Sequence, residues 1–407
     1  MRISKDIMVF NDIDNLKDCV GIYNTFLHSF AIIHREIYKY LSSNLQENSS
    51  ADIYSDLSKE QIQTLMDYGI LIDNEQDYIS RKHQTLRNPR EQKIHIAYLH
   101  LTLRCNLACE YCYIADAINQ ASNELSPKQW IDIIGLLRSK GLEKIIITGG
   151  EPFMYEGLTE VINFAKSIGL HVTVLTNGTL LDNGSEIFEM IDNCIISLDS
   201  QYASKRKGIG QYNVVGNIIE IAKKYPSKII TRSVVVRGME SEVVELGQLL
   251  KENDIPHIKA LCLPNCPQEI NLIPDYEKFS LYSDDPLSPV PCGAGNGLIA
   301  VDAVGNIFPC QSLIKPEFMI ANIFDTDWEN KYNNSIIHNA LRVFDKEKCE
   351  TCSACIAKHL CNGGCRAIAH NVYGDITKPC DFLCDYYRKS AVVSIQSNFT
   401  KEAEAFQ

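Results

Sequence analysis

The chain has 407 residues, of which 45% are hydrophobic and 22% charged, an ordinary composition for a globular protein of roughly two or three domains. Its 39 basic and 51 acidic residues give a net charge of −12, which argues against a nucleic-acid binder and against binding to anionic membranes. No apolar run approaches the ~18 residues that cross a bilayer, and the N-terminal segment lacks the pattern of a secretory signal. We therefore expect a cytoplasmic protein.

The sequence pattern of residues 1–90 predicts a small domain of strands and helices. Alternating apolar residues predict paired strands at 7–10 and 20–23. A helix is expected next, because several apolar residues that follow have the spacing of one helical face. These residues are Phe30, Ile33, Ile37, Tyr40 and Leu41.

The order of elements in the second half of this domain predicts a winged-helix-like arrangement. Ser58 and Gln61 have the spacing of a capping box at the start of a helix that Gly69 ends, and residues 70–74 predict a small hairpin. Winged helices often bind DNA, but this one has no basic helix, so we expect peptide binding. A purely structural role for the domain is the alternative.

Residues 91–285 change to an alternation of strands and helices. The apolar runs predict six strands: 96–103, 144–148, 171–175, 194–198, 229–236 and 258–262. This α/β pattern predicts a parallel sheet or a partial (β/α)6 barrel of the TIM type. In such folds the chemistry lies at the C-terminal ends of the strands.

Residues 286–395 show a third pattern. From Pro291 onward the apolar periodicity weakens and Gly, Pro and Cys set the spacing. This composition favours a domain held together by metal over one with a large apolar core. Residues 396–407 are expected to form a frayed tail.

The cysteines distinguish this chain from an average globular protein. Twelve of the 16 lie in two clusters, and without a secretory signal they favour metal or redox chemistry over disulfides. The first cluster, Cys105, Cys109 and Cys112, has the spacing C-x3-C-x2-C just after the first strand of the sheet. Three thiolates can hold a cubane cluster and leave one iron without a protein ligand, as a catalytic centre needs. A zinc site is the alternative, although no fourth ligand is evident nearby.

This motif, with an aromatic residue before its last cysteine, resembles that of the radical SAM enzymes. The run Thr148–Pro152 after the second strand resembles their GGEP motif, and its glycines would let the backbone approach a ligand closely. The third and fourth strands end in residues that match further positions lining the S-adenosylmethionine (SAM) site. By this resemblance, the cofactor-binding residues are Tyr111, Gly149, Gly150, Glu151, Asn177 and Ser197.

The resemblance implies a specific chemistry. The amino and carboxylate groups of SAM chelate the open iron of a [4Fe–4S] cluster, and reductive cleavage yields a 5′-deoxyadenosyl radical that abstracts hydrogen from a C–H bond. The cofactor performs the difficult step, and the protein places the reactants and excludes other hydrogen donors.

The second cluster resembles the SPASM extension of radical SAM enzymes, which holds two auxiliary [4Fe–4S] clusters. Carried over by position, the outer cluster would be held by Cys352, Cys355, Cys361 and Cys384. The inner cluster would be held by Cys292, Cys310 and Cys365. Cys349 and Cys380 are additional to the seven cysteines of the family pattern. Either one of them is the fourth ligand of the inner cluster, or that cluster keeps an open iron and neither residue is a ligand. The auxiliary clusters would accept the electron that the substrate releases when a new bond closes. The alternative is that these clusters only stabilise the fold.

The resemblance also implies a peptide substrate. Residues 1–90 resemble, in length and element order, the recognition element of ribosomal-peptide maturases, which captures a leader peptide as an added strand. We expect a maturase that installs a thioether or carbon–carbon cross-link in a precursor peptide and takes electrons from a flavodoxin or ferredoxin. The alternatives are an epimerase with Cys266 as hydrogen donor, a protein oxidase like the sulfatase maturases, and a non-catalytic metal scaffold.

Overall fold

The computed structural model describes most of the chain. The described residues are 1–11, 18–44, 57–85, 93–115, 117–119, 123–182, 186–199, 206–207, 213–262, 264–274, 292–342, 346–361, 363–389, 391–392 and 395. The expected tail at 396–407 and the expected domain boundary at residue 285 lie outside them. Within the described part of the chain, no helix has the length and apolar character needed to span a membrane.

The described residues of the N-terminal region form two small sheets and three helices. Its elements are β1 (Arg2–Ile3), β2 (Ile7–Phe10), β3 (Cys19–Asn24), β4 (Ser29–His34), α1 (Arg35–Asn44), α2 (Lys59–Asp67), β5 (Leu71–Ile72) and α3 (Glu75–Thr85). Strands β2, β3 and β4 form an antiparallel sheet in that order, and β1 pairs with β5. The predicted strand pair at 7–10 and 20–23 is confirmed. The capping box of Ser58 and Gln61 is also confirmed.

Two predictions in this region are wrong. Phe30 and Ile33 belong to strand β4, not to a helix, because they pair with Tyr23 and Val20 of β3. The apolar spacing of this segment fits either a helix or a strand, and its pairing with β3 favours the strand. Residues 70–74 form no hairpin: β5 pairs with β1 at the start of the chain, and Asn74 accepts backbone N–H bonds at the start of α3.

A large sheet forms the centre of the molecule. Its strands are β6 (Ile96–Thr102), β8 (Lys144–Gly149), β9 (His171–Thr176), β10 (Asn193–Ser197), β12 (Ile229–Val235), β13 (His257–Leu261), β14 (Leu298–Val301), β15 (Asn306–Phe308) and β16 (Ala321–Asn322). A separate short pair joins β7 (Ala108–Cys109) to β11 (Arg206–Lys207). The six predicted strands are parallel neighbours in the order β13-β12-β10-β9-β8-β6, which confirms the α/β prediction with a parallel sheet.

Helices cover this sheet and continue to the C-terminus. They are α4 (Pro127–Ser139), α5 (Leu158–Ser167), α6 (Ile187–Met190), α7 (Val214–Lys224), α8 (Glu240–Glu252), α9 (Trp328–Asn333), α10 (Ile336–Arg342), α11 (Glu350–Ser353), α12 (Lys358–Cys361) and α13 (Arg366–Tyr373). Alternate residues of the strands, such as Leu99, Ile147 and Val174, are fully buried with the apolar faces of these helices. Burial of this apolar surface is the main stabilising contribution to the sheet.

The cysteine-rich region is more closely integrated than its composition predicted. Strand β14 pairs in parallel with β6, and β15 and β16 extend the same sheet as antiparallel strands. Ile299 and Val301 are completely buried in the main core. The expectation of a region without a large apolar core is therefore wrong for residues 298–322, since their apolar side chains share the core of the sheet.

Candidate active site

The cysteine loop follows directly from the C-terminal end of β6. Cys105, Cys109 and Cys112 are all half-buried. Asn119 brackets the first of them: its Oδ1 accepts the Cys105 N–H at 2.8 Å and its Nδ2 donates to the Cys105 carbonyl at 3.1 Å. Asn119 has a φ of 58°, a left-handed conformation that asparagine tolerates well. The sequence motif did not indicate this residue.

Gly149 and Gly150 allow the end of β8 to contact the segment that leads into the cysteine loop. A Cβ at Gly149 would lie 2.2 Å from the carbonyl oxygen of Thr102, and one at Gly150 would lie 2.2 Å from that of Arg104. The Gly150 N–H donates to the same Thr102 carbonyl at 2.8 Å. The sequence suggested that these glycines admit a ligand. The close approach that the structure shows is between two backbone segments of the site.

Glu151 is completely buried and its carboxylate joins two strand ends. Oε1 accepts hydrogen bonds from the Thr176 hydroxyl at 2.8 Å and from the Phe153 N–H at 3.1 Å, and Oε2 accepts the Asn177 N–H at 2.8 Å. These three hydrogen bonds satisfy both oxygens of the buried carboxylate. Glu151 therefore fixes the position of Asn177 after β9.

Asn177 extends this network to the cysteine loop. Its Nδ2 donates to Oδ1 of Asn106 at 2.9 Å and lies 4.0 Å from Sγ of Cys105. Thr179 closes the network, because its hydroxyl donates to Asn177 Oδ1 at 2.6 Å and accepts from Asn106 Nδ2 at 2.8 Å. A predicted SAM-site residue and a predicted cluster ligand thus lie side by side. Asn106 and Thr179 were missed from sequence, because isolated polar loop residues carry no periodic signal.

Tyr111 connects the cysteine loop to the segment that follows β10. The Tyr111 hydroxyl donates to Oδ2 of Asp199, a residue only 1% exposed, and Oδ1 of Asp199 accepts the Val234 N–H at 2.9 Å. Ser197, half-buried at the last position of β10, pairs in register with Arg232 of β12. The predicted residues Cys105, Tyr111, Gly150, Asn177 and Ser197 therefore lie at or next to the C-terminal ends of four successive strands of the sheet.

His100 of β6 is in aromatic contact with Tyr113, the residue after Cys112. His100 of β6 is completely buried, and burial lowers its pKa to about 3, so its ring is neutral at physiological pH. The ring meets Tyr113 edge-on, with centroids 6.3 Å apart, and Tyr113 also hydrogen-bonds with Thr148. These contacts connect the residue that follows Cys112 with strands β6 and β8.

The thiols predicted for the outer auxiliary cluster line one cavity. They are Cys352, Cys355, Cys361 and Cys384. Burial, reinforced by the neighbouring thiols, raises the pKa of Cys352 to about 12 and that of Cys361 to about 11. Such a group is costly to ionise by itself, and a bound cationic centre offsets that cost. The donor set therefore fits an iron–sulfur cluster.

The thiols predicted for the inner cluster form a second group. Cys292, Cys310 and Cys365 pack around one small apolar cluster. Burial, followed by the charges of Cys365 and Cys292, raises the pKa of Cys310. The three residues that the resemblance assigns to the inner cluster therefore lie in one region of the structure.

The two additional cysteines, Cys349 and Cys380, make different contacts in the structure. Cys349 hydrogen-bonds with Cys352, beside the outer cavity. Cys380 is 3% exposed, lines the outer cavity, and donates its thiol to the carbonyl of Cys365 at 3.2 Å. Of the two, Cys380 is the one in contact with a residue of the inner group.

Across the described residues, no three His, Cys, Asp or Glu side chains are arranged to hold a single metal ion.

Cys266 lies beyond the end of β13. It is half-buried and precedes a short 3₁₀ helix, Pro267–Leu272. Cys262, by contrast, is 1% exposed and packs with Val236 and Met239. Cys266 is therefore the more accessible of the two unassigned thiols at this edge of the sheet.

Comparison with protein families assigns the centre of the chain. The family model described as the radical SAM superfamily matches residues 99–256, which include all three cysteines of the loop and the ends of β8, β9 and β10. Residues 99–256 are a radical SAM domain. A radical SAM domain uses SAM with a [4Fe–4S] cluster, and the thiols of the cysteine loop match the ligands that such a cluster needs.

Similarity to known proteins extends beyond the radical SAM domain. The "PqqA peptide cyclase" of Rhizobium meliloti is 25% identical over 340 residues, which cover 74% of this chain and 89% of that protein. The "S-adenosylmethionine-dependent nucleotide dehydratase" of Selenomonas ruminantium is 32% identical over 178 residues, but these cover only 40% of this chain and 64% of that protein. The crystal structure of Streptococcus suis SuiB bound to precursor peptide SuiA has a TM-score of 0.57 at 16% identity, covering 94% of this chain and 99% of SuiB. That likeness shows a shared fold.

Proposed function

We propose that this protein is a radical SAM maturase that abstracts hydrogen from a ribosomally made precursor peptide and installs an intramolecular cross-link, either a thioether or a carbon–carbon bond. The observation that carries the proposal is the network that joins Cys105, Asn106, Asn177 and Glu151 at the strand ends. It puts a three-thiol loop beside the predicted SAM-binding turns.

Each part of the site has a separate task in this proposal. A [4Fe–4S] cluster with SAM supplies the 5′-deoxyadenosyl radical when both are bound. Cys105, Cys109 and Cys112 ligate the cluster and leave one coordination position for SAM. The backbone at Gly149 and Gly150 would contact the methionyl amino group, and Asn177 and Ser197 would line the rest of the SAM site. Glu151 positions the Asn177 backbone through its 2.8 Å hydrogen bond.

A peptide substrate is supported by two kinds of similarity. The relative whose name specifies a peptide cyclase aligns over 89% of its own length, whereas the nucleotide dehydratase aligns over 64%. The fold resembles that of SuiB, whose structure includes a precursor peptide, across 94% of this chain. We therefore favour a peptide over a nucleotide.

The N-terminal region is proposed to recognise the leader peptide as a winged-helix-like domain. Its sheet has two edge strands, β2 and β4, and β4 is the longer, with six residues against four. Main-chain hydrogen bonds at a sheet edge bind an extended peptide, and side-chain pockets add specificity. All of β4 except its last residue is half-buried, so the strand presents partly exposed and mostly apolar side chains at this edge.

The auxiliary clusters are proposed to take up the electron released when the new bond closes. The outer cluster is assigned to the four thiols of the cavity, and the inner cluster to Cys292, Cys310 and Cys365. Cys380 is the better candidate for a fourth inner ligand because its thiol contacts the Cys365 carbonyl. The external reductant for the SAM-binding cluster is proposed to be a flavodoxin or ferredoxin.

Cα epimerisation is the second candidate reaction, favoured by the half-buried thiol of Cys266 beyond β13. The two reactions leave different products. A cross-link removes two hydrogen atoms from the peptide, whereas epimerisation in D2O leaves its composition unchanged except for one deuterium at Cα.

The test uses anaerobically reconstituted full-length protein, SAM, dithionite and the peptides encoded by short reading frames beside its gene. Mass spectrometry is expected to find a product lighter by two hydrogen atoms, with unchanged yield for Cys266→Ala. Deuterium incorporation that disappears in Cys266→Ala would replace the cross-linking proposal with epimerisation. A protein that cleaves SAM but modifies none of these peptides would contradict a precursor-peptide maturase.

A further inference from the structure

The N-terminal region and the cysteine-rich region meet at a buried contact between a carboxylate and a histidine ring. Oδ1 of Asp6, which follows β1, lies 3.4 Å from Nε2 of His359 in α12, and their side chains are 9% and 4% exposed. Tyr78 donates to Oδ2 of Asp6 at 3.3 Å. Thr25 donates its backbone N–H and its hydroxyl to the Asp6 carbonyl at 2.8 and 2.9 Å. The N-terminal region thus fixes Asp6 at the point where it meets His359.

Apolar contacts surround this pair. Phe26 meets the His359 ring edge-on, with centroids 5.0 Å apart. The next residue, Leu360, packs in one apolar cluster with Phe10 and Tyr23 of the N-terminal sheet. Removal of one partner from such an enclosed contact is costly, because it leaves a buried polar group without its partner in a nonpolar environment.

Helix α12 depends on such contacts for its position. It spans only Lys358–Cys361, one turn, and a single turn has little stability of its own. Lys358 is held from the cysteine-rich side, where Nζ donates to Glu347 at 2.9 Å and to the Ser353 carbonyl at 3.0 Å. His359 and Leu360 are held from the N-terminal side. Cys361, the last residue of the turn, lines the outer cavity.

We propose that the N-terminal region is a structural part of the outer auxiliary site, in which Asp6 positions His359 and thereby the thiol of Cys361. This role is additional to leader recognition, and it means that the sheet proposed to bind the leader also packs on the helix that carries a cluster ligand. The proposal rests on the proposed function only for the identity of Cys361 as an iron ligand.

Asp6→Asn tests the contact, because it removes the charge and preserves the shape of the side chain. Hydrogen exchange is measured on the iron-free full-length protein. Amides of residues 358–361 are expected to exchange at least about 10-fold faster than in wild type, the effect of losing roughly 1.4 kcal/mol, while amides of β8 are unchanged. Asp73→Asn is the matched control: Asp73 is 62% exposed in the same region, 3.8 Å from the N-terminal amine. It should change neither segment.

Unchanged exchange at residues 358–361 in Asp6→Asn would overturn the proposal. If exchange also accelerates in β8, the variant has lost global stability. Phe26→Leu, which removes the ring contacts with His359 and Tyr78 and leaves Asp6 in place, is then judged by the same criterion.

Iron binding gives the second readout. After anaerobic reconstitution, Asp6→Asn is expected to retain up to about four fewer iron atoms per chain than Asp73→Asn, the content of one cubane cluster. Faster exchange with full iron content would show that the contact holds α12 without positioning a ligand, which overturns the assignment of Cys361. Failure of the wild-type protein to modify any peptide would contradict the proposed function and leave the exchange result intact.

Discussion

The hydroxyl of Tyr111 donates a hydrogen bond to the buried carboxylate of Asp199, and this contact joins the cysteine loop to the end of β10. Because Asp199 also accepts the Val234 N–H, one carboxylate connects the loop with two strands of the sheet. A buried carboxylate needs such donors. The aromatic residue of the cysteine motif therefore anchors the loop.

Replacing Tyr111 with phenylalanine tests this anchor. The ring and its packing remain, but the hydrogen bond to a charged acceptor is lost, which should lower the free energy of unfolding by about 1.5–3 kcal/mol. Chemical denaturation of the iron-free protein measures the change. Tyr68→Phe, at a residue 41% exposed, is the control and should have no effect. Equal stability of both variants would mean that Asp199 does not hold the loop.

Gly150→Ala should disrupt the site by steric clash. The new methyl group would lie 2.2 Å from the Arg104 carbonyl, so the segment that leads into the cysteine loop must move. We expect poor retention of iron by the loop and loss of SAM cleavage, measured as 5′-deoxyadenosine. Gly135→Ala in α4 is the control, since a methyl group there meets only Phe164 at 3.7 Å and alanine favours a helix. Normal iron content in Gly150→Ala would refute the close approach.

Glu151→Gln should weaken the network that orders Asn177. A glutamine offers one acceptor oxygen where the carboxylate offers two, so at least one buried N–H or hydroxyl donor loses its acceptor. The expected cost is about 1–3 kcal/mol of unfolding free energy, together with weaker SAM binding. Both are measured by denaturation and by equilibrium binding of SAM. The neighbouring Glu156→Gln, at an exposed position, serves as the control; a matching loss there would point to a general charge effect.

The ion pair of Asp192 and Lys166 predicts an acid-sensitive contribution to stability. Burial raises the pKa of Asp192, but the hydrogen bond and charge of Lys166 and the Val172 N–H lower it overall, below its ordinary value of 3.8. Because the folded-state pKa is the lower one, the carboxylate stabilises the fold above the ordinary value, and this contribution is lost as pH falls through the lowered pKa.

Asp192→Asn should therefore cost about 1 kcal/mol at neutral pH, since the pair is partly exposed to solvent. The difference from wild type should shrink as the pH falls below 3.8, the ordinary pKa of the group. Urea unfolding at several pH values measures it, with the exposed Asp132→Asn as control. A difference that stays constant through this acid range would contradict the assignment.

The sheet could be predicted well because its strands are short apolar runs bounded by helices with clear starts. Each of the six predicted strands agrees with the structure to within one residue at either end. The helix at Ser126 was equally clear, since its capping box and the proline that follows depend only on neighbouring residues.

Pairings between distant segments could not be predicted. The run at Phe30 and Ile33 fits helix and strand alike, and only its partner β3 decides. Likewise, β5 pairs with residues at the start of the chain, and β14 joins the sheet beside β6 from about 200 residues away. Local patterns carry no information on such partners.

The motifs gave the positions of the candidate site but not the contacts within it. Glu151 and Tyr111 were predicted as cofactor-binding residues, yet the contacts that the structure shows for them are with Asn177 and Asp199. Asn106 and Asn119 were missed because a single asparagine in a loop gives no signal until its partners are known.

The most direct test of the account is the formation of 5′-deoxyadenosine by the anaerobically reconstituted protein with SAM and dithionite. The account predicts that wild type produces it, that electron paramagnetic resonance of the reduced cluster changes when SAM is added, and that substitution of Cys105, Cys109 or Cys112 by alanine abolishes both. A wild-type protein that binds iron at this loop but yields no 5′-deoxyadenosine, or whose loop thiolates hold zinc, would contradict it.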